Sequence, residues 1–366
     1  MPLTVGIVGL PNVGKSTIFN ALTRASVEAS NYPFCTIEPN VGVVEVDDSR
    51  LTRLAEILQP SSRTAATIHF TDIAGLVQGA NKGEGRGNAF LNDIRKVDAL
   101  LHVVRCFADP TVSHVESDLE PVRDVAVVDS ELLLADLQIV EGVLPTLEKV
   151  LSADRQSPRA LELDVLQRIQ AALGNGIAVR DLALSRAEAQ AVSGYGLLSA
   201  KPMLYVANAG EGEGVEDGSG SEHVSALRNG LASEQILVFS AQIESELAQL
   251  AADERGAFAE ELGIAESGVA RLVQASYRLL GLLTFYTHAH DKLQAWQLPS
   301  GSGAAEAAGR IHSDMERGFI KAEVADMREL ESAGSLASLR ESGQLRVEGR
   351  DYIIRDGDVI QFLFRA

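Results

Sequence analysis

Cysteine is nearly absent from this chain: two residues in 366, Cys35 and Cys106, exclude a disulfide framework, so packing has to hold the fold together. Positive charge is also scarce. There are 32 lysines and arginines against 51 aspartates and glutamates, a formal net charge of −19, and a field of that sign opposes non-specific binding to nucleic acid. A local cluster of Arg310, His312, Arg317 and Lys321 reads as an RNA-facing patch or equally as a solvated helix face. No apolar run approaches the roughly 18 residues that a membrane-spanning helix requires. Met1-Pro2-Leu3 leads into a strand pattern instead of a signal peptide. A cytoplasmic protein with no membrane partner is therefore expected.

What the chain does have is a loop bracketed by glycines. Gly9-Leu10-Pro11-Asn12-Val13-Gly14-Lys15-Ser16-Thr17 is a GxxxxGKS phosphate-binding loop, with a buried-strand pattern before it at Val5 to Val8 and an amphipathic helix pattern after it from Ser16. Gly9 and Gly14 permit the backbone angles and the close approach that such a loop needs. Backbone N–H groups from Asn12 to Thr17 can wrap a phosphate, Lys15 can reach its β and γ oxygens, and the Ser16 hydroxyl is placed for magnesium.

The length predicts two or three domains. From Met1 to Val128, strand patterns at Leu3 to Val8, Val41 to Val46, Thr67 to Asp72 and Ala99 to Cys106 alternate with helical ones. That rhythm predicts an α/β domain, a mostly parallel sheet with helices on both faces. Residues 129–200 read as helix only. Leu133, Leu137, Val140, Leu144, Leu147 and Leu151 step by four and three, a coiled-coil-like seam in which Pro145 should cause a kink. Ser157-Pro158 should open a second helix carrying Leu163, Leu166, Ile169 and Leu173, and Ser185 to Glu188 is a capping box for a third. Helix packing is the preferred reading of the leucine stripe, and partner binding the other. Strands resume at Met203 to Ala207 and Gln235 to Phe239. The nucleotide-binding domain is thus expected at 1–128 and 201–280, the inserted helical domain at 129–200, and a separate α+β module at 281–366. In that module Tyr352 to Ile354 and Val359 to Phe364 are expected to pair as a hairpin around Arg355-Asp356-Gly357-Asp358.

Further candidates follow from the phosphate loop. Asp72, ending a strand in Asp72-Ile73-Ala74-Gly75, can hold magnesium through water, while the Gly75 N–H can sense a γ-phosphate. Thr36, between the first helix and second strand, is placed as a switch threonine on the same metal. Leu76 stands where related enzymes carry a water-orienting glutamine, which leucine cannot replace. After the strand at Met203, guanine-specific enzymes carry NKxD, but this chain has Asn208-Ala209-Gly210-Glu211: the lysine is gone and the acid is one methylene longer. Relaxed or switched base specificity follows, with ATP as the expected ligand. Ser240-Ala241-Gln242 matches the loop that borders the base in such folds, and Ser240 joins Asn208, Ala209 and Glu211 as a nucleotide-binding candidate.

Taken together these motifs resemble the YchF or Obg-like ATPases over essentially the whole chain. The likeness rests on GLPNVGKST at Gly9, NYPFCTIEPN at Asn31, DIAGLV at Asp72, GEGRGN at Gly83, HVVRCF at His102 and the DYIIRDGDVIQFLF ending. It implies a P-loop NTPase domain interrupted by a coiled-coil-like helical domain, then a C-terminal TGS module of β-grasp form. It further implies ATP preferred over GTP, hydrolysis to ADP and phosphate, and a slow switch bound to ribosomes and linked to translation or stress regulation. By position it implies that Ser16 and Thr36 ligate magnesium, that Phe107 lies near the adenine contacted by Asn208 and Ala209, and that His114 takes over water positioning, with Lys15 as the other catalytic residue. Asn12 suggests a potassium ion bridging the phosphates. Two alternatives stay open: a GTPase, and a nucleotide-regulated binding protein whose hydrolysis is incidental.

Overall fold

The computed structural model describes residues 3–24, 40–73, 86–113, 118–153, 158–211, 217–231 and 236–365, with only the backbone described at 86–89 and 252–253. Two compact units divide the chain. One comprises Met1–Gly42 and His69–Leu272, and the other Val43–Ile68 and Val273–Ala366.

The elements follow in chain order: β1 (Thr4–Val8), α1 (Lys15–Arg24), β2 (Val41–Glu45), α2 (Ser49–Leu58), β3 (Ser62–Thr64), β4 (Thr67–Asp72), α3 (Arg86–Lys96) and β5 (Ala99–Cys106). Then come α4 (Pro121–Ala153), α5 (Ala160–Gly174), α6 (Arg186–Val192), β6 (Met203–Ala209), α7 (Glu222–Gly230), β7 (Ile236–Phe239), α8 (Ala241–Leu247), α9 (Ala252–Glu261) and α10 (Gly268–Leu279). The chain closes with β8 (Leu282–Ala289), β9 (Lys292–Pro299), α11 (Ala304–Ile311), α12 (Ser313–Arg317), β10 (Phe319–Ala325), α13 (Met327–Ala333), α14 (Leu336–Glu341), β11 (Arg346–Glu348) and β12 (Val359–Phe364).

The first unit is built on the parallel sheet β4-β1-β5-β6-β7, with β2 beginning at its edge. All eight residues of β5 are buried, as the near-continuous apolar run of a central parallel strand demands. Register fixes the geometry of the site: Ile7 lies opposite Asp72 and Cys106 opposite Ala209, so the carboxyl ends of β1, β4, β5 and β6 converge. Such an edge is where open α/β sheets hold their ligands.

The helical segment packs on itself. All ten residues of the predicted leucine stripes on α4 and α5 fall in one cluster, with Val165, Leu166 and Ile169 fully buried. Each such side chain contributes about 1.5–3 kcal/mol of burial, which accounts for the stripe without a partner. The capping box forms: Ser185 accepts from the Glu188 N–H, and Glu188 accepts from the Ser185 N–H. Pro145 lies inside α4, which runs from Pro121 to Ala153; the proline is exposed, where water can solvate the carbonyl that loses its donor. One expectation needs correction. The second helix starts at Ala160, beyond Pro158, and residues 154–157 lie outside the described residues.

The second unit carries the sheet β11-β10-β12-β8-β9-β3. The hairpin expected across Arg355 to Asp358 does not form. Ile353 makes only an isolated bridge to Gly303, while β12 pairs antiparallel with β10 and touches β8 in parallel at Tyr286. The reason lies in the carboxylates of that turn. Asp358 accepts from the Arg355 N–H and the Tyr352 hydroxyl, and Asp356 accepts from the Thr284 N–H, so the turn is fastened to β8 instead of folding back. The hairpin that does form joins β8 to β9 through His290 and Asp291, both at positive φ (51° and 62°), a two-residue turn without the usual glycine.

Candidate functional site

The loop from Gly9 to Thr17 leaves β1 and enters α1, and two glycines in it have no substitute. A Cβ on Gly9 (φ 147°) would sit 2.4 Å from the Val103 carbonyl oxygen, and one on Gly14 (φ 101°) would sit 2.3 Å from Asn208 Nδ2. Asn12, at φ 60°, occupies the left-handed region that asparagine tolerates best among non-glycine residues. Its side-chain amide donates to both the carbonyl and the hydroxyl of Ser113 at 3.2 Å.

Lys15 is 8% exposed, and its ammonium donates to the Leu10 carbonyl at 2.7 Å, across the loop's own curve. Burial pulls its pKa down to about 8, against the opposing pull of Asp72. The Ser16 hydroxyl donates to Asp72 Oδ2 at 2.8 Å. A hydroxyl and a carboxylate so joined are the hard oxygen donors that magnesium takes, and magnesium needs few of them from a protein. Among the described residues no group of three or more histidine, cysteine, aspartate or glutamate side chains could hold a metal by itself.

At the other end of the loop Asn208 acts as a strut. Its Nδ2 donates to the Val13 carbonyl at 2.9 Å and its Oδ1 accepts from the Ala241 N–H at 3.0 Å, so one buried side chain ties the phosphate loop, the end of β6 and the start of α8. A cleft of about 840 Å³ opens here. Asn12, Gly14, Lys15, Ser16 and Thr17 line its phosphate end; Phe107, Asn208, Ala209 and Glu211 line the other. Val13 contributes only its carbonyl to this arrangement, its side chain being 1% exposed. Ser240 is buried and uses its hydroxyl as the N-cap of α8, accepting from the Ile243 N–H, and it does not line the cleft. Thr36, Gly75, Leu76 and His114 lie outside the described residues. Gln242, in the expected base-bordering loop, does line the cleft; sequence reasoning missed Ser245 and Glu246 on α8 and Gln249 just beyond it, whose signal was a polar face at helical spacing after that loop.

Comparison with known proteins fits this geometry. The chain matches the model of a 50S ribosome-binding GTPase (MMR_HSR1) over residues 4–135 and the YchF-GTPase_C model, described as a protein of unknown function, over 282–365. It is 46% identical to the ribosome-binding ATPase YchF of Bacillus subtilis and 43% identical to that of Escherichia coli O157:H7, each covering all of both chains. Among solved structures, the Schizosaccharomyces pombe YchF GTPase is similar at 31% identity with a TM-score of 0.88, over 99% of this chain and 97% of that one. A GTP-binding protein from Pyrococcus horikoshii OT3, at 20% identity and a TM-score of 0.63, shares the fold. With full-length identity of this order to curated members, the chain belongs to the YchF family.

Proposed function

We propose that this chain binds ATP with magnesium, hydrolyses it to ADP and phosphate, and works as a slow conformational switch whose state is reported to a ribosome. The names of its relatives support the ATP and the ribosome. The observation that carries the preference for ATP is the base end of the cleft. There the Asn208 amide is engaged within the protein at both ends, Ala209 offers no polar side-chain atom, and Glu211 stands on an exposed turn. A carboxylate held to accept both guanine donors would face the N1 lone pair of adenine, a mismatch of about 1–3 kcal/mol when buried. Glu211, longer and exposed, is released from that position. The S. pombe relative is called a GTPase, so GTP is the reading to exclude.

In the reaction, water attacks the γ-phosphorus as the bond to the β–γ bridging oxygen breaks and ADP departs. Lys15, whose proton is held loosely because of burial, is favoured in its charged form by phosphate oxygens. Ser16 and Asp72 would hold the magnesium, which when bound supplies positive charge across the transferring phosphoryl group. With Leu76 unable to orient water, His114 is the proposed positioning group. The residue before it, Ser113, is fastened to Asn12 of the phosphate loop. The oxygen end of the Asn12 amide is the donor that a potassium ion would use.

The test is a side-by-side titration of ATP and GTP. The wild-type protein is expected to favour ATP at least about tenfold, and Ala209→Lys combined with Glu211→Asp to move the ratio toward GTP by about one to two orders of magnitude. A wild-type preference for GTP, or an unmoved ratio in the double variant, would overturn the reading.

A further inference from the structure

We infer that Arg105 is a positioning residue for the nucleotide base: its guanidinium builds the 107–113 wall of the cleft and backs the Phe107 ring, whose other face stacks on the base. This rests on the nucleotide reading above and extends it to the arginine of the HVVRCF segment, to which the sequence analysis gives no role.

Arg105 is 4% exposed at the end of β5, and its side chain turns into the loop that follows. Three of its nitrogens each donate to a different main-chain carbonyl: Nε to Phe107 at 3.1 Å, Nη2 to Asp109 at 3.0 Å and Nη1 to Val112 at 3.0 Å. A planar fork with several rigidly placed donors can hold three carbonyls at once, and a lysine ammonium on a flexible stem cannot match that geometry. The guanidinium carbon also lies 4.6 Å from the centroid of the Phe107 ring, a cation–π contact that covers one ring face.

The placement of this segment gives the arrangement its purpose. Phe107, Ala108, Asp109, Pro110 and Val112 all border the cleft. The pairing of Cys106 with Ala209 sets Phe107 beside the turn from Ala209 to Glu211, at the base end. An aromatic face held there suits a purine, because every base has a π-face and stacking on an aromatic ring is worth about tenfold or more in affinity. The phosphate end has anchors of its own, Asn208 to Val13 and Ser16 to Asp72, that do not pass through Arg105; another, Asn12 to Ser113, reaches the loop one residue past the last carbonyl that Arg105 holds. Base affinity and phosphate affinity are therefore separable at this residue.

The experiment titrates the wild-type protein, Arg105→Lys and Phe107→Leu with ATP and with inorganic tripolyphosphate, which lacks a base. Both variants are expected to bind ATP about tenfold more weakly while tripolyphosphate affinity holds within about twofold. Unchanged ATP affinity in Arg105→Lys overturns the inference. So does an equal loss of both ligands with a lowered melting temperature, which marks a residue that only folds the loop. Should the wild-type protein bind GTP instead of ATP, the ATP reading falls, and the same variants titrated with GTP decide the role of Arg105 by the same criterion.

Discussion

The two compact units use clustered polar groups in opposite ways. In the first, Lys15, Ser16 and Asn208 gather where parallel strands end and front an open cleft, with Asp72 hydrogen-bonded to Ser16. In the second, polar groups close on one another. Arg50 donates to both carboxylate oxygens of Asp48 and, at 2.6 Å, to Asp356; the Tyr286 hydroxyl donates to Asp48; and Asp356 receives the Thr284 N–H. A second knot joins Arg346, Tyr352 and Asp358. Polarity and burial alone do not mark a functional site. Direction does: the first set leaves capacity facing a space of ligand size, and the second satisfies itself.

The sharpest way to break this comparison is to remove the charge at the cleft. Lys15→Met should lower ATP turnover by about two orders of magnitude or more while the melting temperature holds or rises, since a buried cation is replaced by a shape-matched apolar chain. Turnover measured beside a thermal melt decides it, and a collapse of the fold would place Lys15 among the structural groups.

In the second unit the opposite pattern is expected. Asp48→Asn should destabilise the protein by about 1–3 kcal/mol, because Arg50 and Tyr286 lose a charged acceptor, and should leave ATP turnover nearly unchanged. Burial raises the Asp48 pKa, but hydrogen bonds from Arg50 and Tyr286 and the Arg50 charge outweigh it, so the net shift is downward. A carboxyl held below its unfolded value contributes stability that is present above the ordinary carboxylate range and is lost as pH falls through the lower folded value. Denaturant melts at acid pH should therefore fall more steeply for wild type than for Asp48→Asn.

The smallest effect concerns Lys15 again. Its folded pKa of about 8 lies below the ordinary lysine value of 10.5, so between those limits the unfolded chain binds the extra proton and the Lys15 contribution to stability rises with pH. Nucleotide affinity should move the other way, weakening as pH climbs past about 8 and the free site loses its charge. Melts and ATP titrations between pH 7 and 10, with Lys15→Met as the reference, should show the two opposed slopes; parallel slopes would mean that Lys15 is not the group titrating.

The phosphate loop was legible in the sequence because its requirements are local: two glycines, a lysine and a hydroxyl within one turn of chain. The helical stripe was legible for the same reason, its ten apolar positions repeating at helical spacing and meeting in one cluster. Long-range obligations were not. Nothing near Asn208 indicates that its amide bonds Val13 and Ala241, and nothing near Arg105 indicates three carbonyl partners in the following loop. Turns misled in both directions. Asp356-Gly357 looked like a hairpin and is fastened to β8, while His290-Asp291 forms one without glycine because β8 and β9 pair along eight registered positions.

Asn208 and Gly14 carry a last consequence, for how this protein can change over time. The space that excludes a Cβ at Gly14 is filled by the amide that secures Val13. A larger residue at position 14 would dislodge the strut, and a smaller one at 208 would vacate the space while leaving the Val13 carbonyl and the Ala241 N–H without their partner. The two sites therefore behave as one inherited character. Neither drifts alone without cost, and their joint replacement should be strongly non-additive.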